Sequence, residues 1–269
     1  MSTLLIDGQE QGGVPAGDRG LAYGDGVFET LRLSAVRPRL LERHLQRLQQ
    51  GCGRLGFEAP ASSLLMADIE AVAAAAPPDG VVKLIVTRGD GGRGYRPPPA
   101  PRARRIVSAH PAPAYDPAWW TEGVSLRICA TRLGRNPALA GIKHLNRLEQ
   151  VLARREWDDP EVPEGLMLDD AGHLVCGTQS NLFVLRDGTL MTPALDACGV
   201  AGVMRGFVLS QAASLGLRVG VGAMKLDVLE EAQEIFLTNA VIGIWPVRAA
   251  GEHAFAPGVV AARMQQCLA

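Results

Sequence analysis

Aromatic residues are scarce in this chain of 269 residues, at 5%, so any core it builds must be mostly aliphatic. No stretch reaches the ~20 apolar residues that a membrane helix requires, which excludes a helical membrane span. Charge of one sign is missing too: the formal net charge is −1, and no Lys/Arg block exceeds a few residues. That argues against a nucleic-acid or membrane-surface partner. The short basic cluster Arg102–Arg105 stands beside a proline run and reads as a solvated loop or strand end. Five cysteines, an odd number without C-x-x-C spacing, argue against a disulfide framework or a zinc site and fit a reducing cytosol. The N-terminal Met1–Asp7 has neither the basic flank nor the apolar run of a signal peptide, so a cytoplasmic protein is expected.

What is present is a globular composition, 47% hydrophobic and 20% charged, in a chain long enough for two modest domains. Strand-like runs occur at Leu4–Ile6, Val27–Leu33, Val81–Thr87 and Arg104–Ala109, with Gly and Asp as turn residues after the first. Leu40, Leu41, Leu45, Leu48 and Cys52 recur at helical spacing within Leu40–Leu55, and Leu64–Ala75 reads as a second helix ended by Pro77-Pro78, because proline cannot continue a helix. Further strands are expected at Val124–Ala130, Gly165–Leu168, Asn181–Leu185, Thr189–Met191, Glu234–Thr238 and Ile242–Val247, with helices at Leu145–Trp157 and Val203–Leu215. The mixture lacks regular β-α-β alternation, so the fold class expected is α+β. The proline-rich stretch Pro111–Pro117 reads as a linker. It divides a smaller N-terminal domain over 1–112 from a larger C-terminal domain over 121–269, with 113–120 between them.

One nucleotide-binding motif fails on inspection. Gly89-Asp-Gly91-Gly-Arg-Gly94 matches G-x-G-x-x-G, but it runs into Tyr95-Arg-Pro-Pro-Pro, which cannot form the helix whose N-terminus would hold a pyrophosphate. What remains is a glycine-rich loop carrying Arg88 and Arg93, suited to an anion or simply solvated. More pointed is Lys143, placed at the head of the expected helix from Leu145, where the macrodipole disfavours a cation. Either it is a solvated charge, or its amine is there to react, as a lysine does with a carbonyl. Gly199-Val-Ala-Gly202 precedes the helix from Val203 and would aim backbone N–H groups at an anion. Arg47, on the polar side of the first helix, could add a fixed guanidinium.

Several segments, in order, resemble a known family: Asp18–Thr30, His44-Leu-Gln-Arg-Leu48, Arg88–Tyr95, Leu133-Gly-Arg-Asn-Pro137, Ala140–Gln150 and Ser180-Asn-Leu-Phe183. Together they resemble the fold-type IV enzymes of pyridoxal 5'-phosphate (PLP), which include branched-chain and D-amino-acid aminotransferases and 4-amino-4-deoxychorismate lyases. The Gly-Gly-Arg-Gly-Tyr loop and the Lys-His-Leu-Asn-Arg-Leu-Glu-Gln run point to the lyases. The resemblance implies a two-domain homodimer with PLP between the domains, converting 4-amino-4-deoxychorismate to 4-aminobenzoate and pyruvate in folate synthesis. By motif position it implies Lys143 as the Schiff-base and proton-transfer lysine and Thr30 as a catalytic residue above the cofactor. It gives Arg47, Asn239 and the backbone of Val203 and Met204 to the phosphate, and Arg93 and Lys83 to the substrate carboxylates, which a planar guanidinium grips in pairs.

The pattern breaks at Cys176, in Val175-Cys-Gly-Thr-Gln-Ser-Asn-Leu-Phe183. Relatives of this family carry a glutamate there that pairs with the pyridine nitrogen and deepens the electron sink. A thiol is a weak donor and holds that proton poorly. Three outcomes follow: an aromatising elimination tolerates the loss, another carboxylate substitutes, or activity is impaired. An aminotransferase of the same fold is the alternative activity, and a degenerate PLP-binding scaffold is the non-enzyme one.

Overall fold

The computed structural model describes residues 3–10 and 12–268. Met1 and Ser2, where the N-terminal reading begins, and Ala269, at the end of the expected second domain, lie outside them. The chain separates into two compact units: Met1–Pro113 with Ile142–Asn146, and Ala114–Gly141 with Arg147–Ala269.

The first unit contains β1 (Leu4–Ile6), α1 (Arg19–Tyr23), β2 (Gly26–Ser34), β3 (Arg37–Pro38), α2 (Leu41–Arg54), α3 (Ser62–Ala73), β4 (Val81–Thr87) and β5 (Arg104–His110). Its antiparallel sheet has the order β1-β5-β4-β2-β3. Alternation of side chains along a strand puts Val27, Leu31 and Leu33 of β2 on one face with Val82, Leu84 and Val86 of β4. Leu45, Leu48 and Cys52 of α2 and Leu65, Ile69 and Val72 of α3 cover that face. Each aliphatic side chain so buried contributes about 1.5–3 kcal/mol. The opposite face carries Phe28, Thr30 and Lys83, none of them buried.

α1 was not foreseen. Asp18 caps it, accepting from the N–H groups of Gly20 (2.8 Å) and Leu21 (3.3 Å), and Gly24 closes it in a left-handed conformation at φ 66°. Arg104 and Arg105, read as solvated, are β5 residues in ion pairs. Arg104 binds Asp18 at 2.5 Å and Asp90 at 3.0 Å, and Arg105 pairs with Asp68.

The second unit runs through β6 (Val124–Leu133), α4 (Leu148–Arg154), β7 (Glu164–Asp169), β8 (Leu174–Gly177), β9 (Asn181–Arg186), β10 (Thr189–Pro193), α5 (Val203–Ala212), β11 (Arg218–Gly222), β12 (Glu234–Asn239), β13 (Gly243–Ala250), β14 (His253–Ala254) and α6 (Val259–Gln266). Its nine-stranded sheet has the order β11-β10-β9-β12-β13-β6-β7-β8, with β14 paired to β13. Parallel pairing at β10/β11, β13/β6 and β6/β7 is mixed with antiparallel pairing elsewhere. The few aromatic residues are concentrated here. Trp245 is fully buried and meets the rings of Tyr115, Trp119 and Trp120 edge-on at 4.9, 5.2 and 5.7 Å, the arrangement that ring quadrupoles favour.

Two helix expectations are corrected. The helix expected over Leu145–Trp157 is seven residues, Leu148–Arg154, with Leu148, Val151 and Leu152 exposed. Its apolar spacing therefore marks an outward face rather than a buried one. Lys143 precedes it in a segment outside any helix and clusters with the first unit, so the helix-dipole argument for its reactivity does not apply. α5 ends at Ala212 and continues to Leu215 as a 3-10 turn. Among the described residues no helix is long and apolar enough to cross a membrane.

Candidate active site

Lys143 is placed by main-chain bonds along β2. Phe28 N–H donates to the Lys143 carbonyl at 3.0 Å, Leu145 N–H donates to Gly26 O at 3.0 Å, and Val27 and His144 form a bridge. Gly26 is required there, since a Cβ would stand 2.5 Å from Val86 O. Lys143 Nζ lies 4.2 Å from the Phe28 ring centroid, and Lys83 Nζ lies 5.8 Å from the same ring. Both are within cation–π range. Thr30 stands opposite Lys83 in the β2–β4 register. The first unit thus brings Lys143, Thr30 and Lys83 together around Phe28, an aromatic residue that sequence reasoning did not single out.

Arg47 is held differently. It approaches the helix-covered side of the sheet, donating from Nε to Glu29 Oε1 at 2.8 Å and from Nη2 to Glu29 Oε2. Glu29 also meets His44 Nδ1 at 2.6 Å. Burial pushes the Glu29 carboxyl up. The Arg47 charge and the hydrogen bonds with His44 and Arg47 outweigh this and hold it below the usual carboxylate range. Neither Glu29 nor His44 had been assigned a role.

The two loop arginines part company. Arg88 is buried: it binds Asp25 through Nε (2.7 Å) and Nη2 (3.0 Å), and donates to Leu55 O and Gly56 O. It is a structural residue, not an anion site. Arg93 is exposed on the 88–101 loop. Arg19 anchors that loop by donating to Gly94 O (3.2 Å) and Tyr95 O (2.9 Å), while also binding Asp25 at 2.8 Å.

In the second unit the turn before α5 is drawn tight. Asn181 donates to Val200 O at 2.9 Å and accepts from Gly202 N–H at 3.1 Å. A Cβ on Gly202 would lie 2.0 Å from Asn181 Oδ1. Val203 and Met204 open α5, and the first N–H groups of a helix have no partner within it. This bare backbone turn suits a phosphate. Asn239 ends β12 with its Oδ1 engaged by the N–H groups of Val241 (2.8 Å) and Ile242 (2.9 Å). Its amide nitrogen is therefore the group suited to an anion.

Cys176 is on β8, a strand the sequence did not reveal, opposite Met167 of β7. It packs with Cys129, Leu133, Ala153, Val175 and Cys198. Burial pushes its thiol far up, the nearby Glu164 charge adds to this, and Arg147 opposes it. Glu164 is also buried. It accepts from Gly165 N–H, Thr178 N–H and hydroxyl, Gln179 N–H and Ser180 hydroxyl, so its lone pairs organise the turn after Cys176.

A lysine on an aromatic face and a glycine-bared helix start, in a mixed α/β chain with these two sheets, define a class. Residues 26–250 match the model of the amino-transferase class IV family, and the chain belongs to that family. It is similar to the aminodeoxychorismate lyase of Vibrio harveyi, 36% identical over 90% of this chain and 89% of that protein. The crystal structure of 4-amino-4-deoxychorismate lyase from Pseudomonas aeruginosa superposes with a TM-score of 0.93 at 50% identity, covering 98% of this chain and 97% of that one. A putative branched-chain-amino-acid aminotransferase of Methanocaldococcus jannaschii is 31% identical over 86% of this chain and 80% of its own length.

Proposed function

We propose that this chain is an aminodeoxychorismate lyase using PLP, which cleaves 4-amino-4-deoxychorismate to 4-aminobenzoate and pyruvate. The carrying observation is the position of Lys143 Nζ against Phe28, with Thr30 and Lys83 on the same sheet face, in a chain similar to two such lyases. The cofactor, when bound, supplies an electron sink for the carbon bearing the substrate nitrogen.

The chain's own groups then have these roles. Lys143 would hold the cofactor through its amine, and that amine would move the proton of the carbon bearing the substrate nitrogen. The Thr30 hydroxyl passes a proton to the departing enolpyruvyl oxygen. Arg93 and Lys83 hold the two substrate carboxylates. Arg47, Asn239 and the N–H groups of Val203 and Met204 would hold the phosphate, and Cys176 would take the position that faces the ring nitrogen. The enzyme works as a homodimer in the cytoplasm.

The test is an absorption spectrum of protein loaded with PLP, followed by addition of substrate. Appearance of fluorescent 4-aminobenzoate is expected, and Lys143→Ala should lose both that product and the absorption band of the lysine-bound cofactor. The aminotransferase relative makes one further assay necessary. Turnover of L-leucine or D-alanine with 2-oxoglutarate, without any 4-aminobenzoate, would overturn the lyase reading.

A further inference from the structure

Glu29 occupies a position that its strand otherwise gives to hydrocarbon. Val27, Leu31 and Leu33 share its face of β2 within the aliphatic core, and Glu29 and His44 are each 1% exposed. A buried carboxylate is poor material for stability, because apolar residues of similar volume do as well or better. Its geometry is more informative. Both Glu29 oxygens are aimed at one edge of the Arg47 guanidinium, with Oε1 receiving Nε and Oε2 receiving Nη2. His44 Nδ1 meets Oε2 from the other side at 2.6 Å, and its Nε2 is buried with no partner among the described residues. The imidazole therefore acts on Glu29 through one nitrogen. An arginine side chain has several rotatable bonds, and a fork-to-fork grip removes most of that freedom.

We propose that Glu29 and His44 are positioning residues, which clamp the Nε/Nη2 edge of Arg47 and so fix its charge toward the cofactor's phosphate. The proposal rests on the reading above in which Arg47 is a phosphate ligand. Glu29 and His44 do not touch the cofactor on this view. They act through Arg47, so their effect must follow the phosphate and nothing else on the ligand.

Titration of cofactor-free protein with PLP and, separately, with pyridoxal, which lacks the phosphate, isolates that contribution. Arg47→Ala should abolish most of the preference for PLP over pyridoxal. Should Arg47→Ala keep the preference, the phosphate reading itself fails and the clamp with it. Glu29→Gln keeps the side chain's size but removes the bidentate carboxylate. It should weaken PLP binding on the order of tenfold, by analogy with groups that orient the ligands of a metal ion, and leave pyridoxal binding unchanged. His44→Asn should do the same more weakly. A loss of Arg47→Ala preference together with wild-type preference in Glu29→Gln would overturn the clamp and leave the phosphate reading standing. Because a core substitution can disturb folding, the double variant Arg47→Ala/Glu29→Gln serves as the second check. With Arg47 gone, Glu29→Gln should have no further effect on PLP affinity, and an equal loss of PLP and pyridoxal binding in either background would show a merely structural role.

Discussion

Cys176 concentrates the chemical question at the scale of one residue. Its thiol sits among Cys129, Cys198 and Met167, with the Glu164 carboxylate and the Arg147 guanidinium acting on it from a distance. Both neighbours bear on a carboxylate placed there. Glu164 would disfavour the added charge and Arg147 would favour it. Glu164 cannot itself stand in for a missing carboxylate, because five donors already engage it within its own turn. If Cys176 faces the ring nitrogen, Cys176→Glu should raise turnover several-fold and displace the cofactor's absorption band. A variant with unchanged rate and spectrum would show that position 176 does not face it.

Among elements, the network that joins α1, the end of β4 and the 88–101 loop has a definite pH signature. Asp25 binds Arg19 and Arg88 together. Burial pushes its carboxyl up, but hydrogen bonds and charge from Arg88 and Arg19 outweigh this and leave it below the usual range. A carboxylate lowered on folding contributes stability that is present above its unfolded pKa, about 4, and is lost as pH falls through the folded value. Asp25→Asn should therefore cost on the order of 1–3 kcal/mol at pH 7. The gap between the urea midpoints of variant and parent should narrow as pH is lowered below about 4, and a gap independent of pH would exclude this ionisation as the source. Legibility from sequence varied by element for physical reasons. β1 and β4 are apolar runs bounded by turn residues, and their limits were readable to the residue. β8 is four residues, buried throughout, so it shows no alternation to detect. α1 is five residues held by a side-chain cap and by the contacts of Arg19 with Asp25, Gly94 O and Tyr95 O, which no periodicity signals. Motif resemblance singled out Lys143, Thr30 and Lys83, and the structure places all three near Phe28. The clamp on Arg47 was not, because Glu29 lies 15 and 18 residues from its partners and looks like an ordinary strand residue until the chain folds.

For the whole molecule, composition already excluded much: a net charge of −1 and scattered basic residues leave no large field for a polyanion. What composition could not convey is how sparingly placed aromatic residues are used. Three of the four tryptophans and Tyr115 form one cluster in the second unit, while Phe28 serves the lysine in the first. The proposed homodimer is checked by light scattering, which should give twice the 28.5 kDa of one chain in dilute solution with PLP. A mass of one chain under those conditions would remove the dimer from the proposal.

The segment that carries Lys143 has a consequence for biosynthesis. Residues Ile142–Asn146 complete the first unit, although the chain on both sides of them belongs to the second. A gene fragment ending at residue 113 would encode a β2 without the strand-like neighbour at Phe28 and Gly26, and without any Lys143. During synthesis the N-terminal unit cannot be finished when its own last strand, β5, leaves the ribosome. It must wait until residue 146 has emerged, by which time β6 of the other unit is already exposed. Each unit is defined by its own internal contacts, but no single cut in the polypeptide divides one from the other.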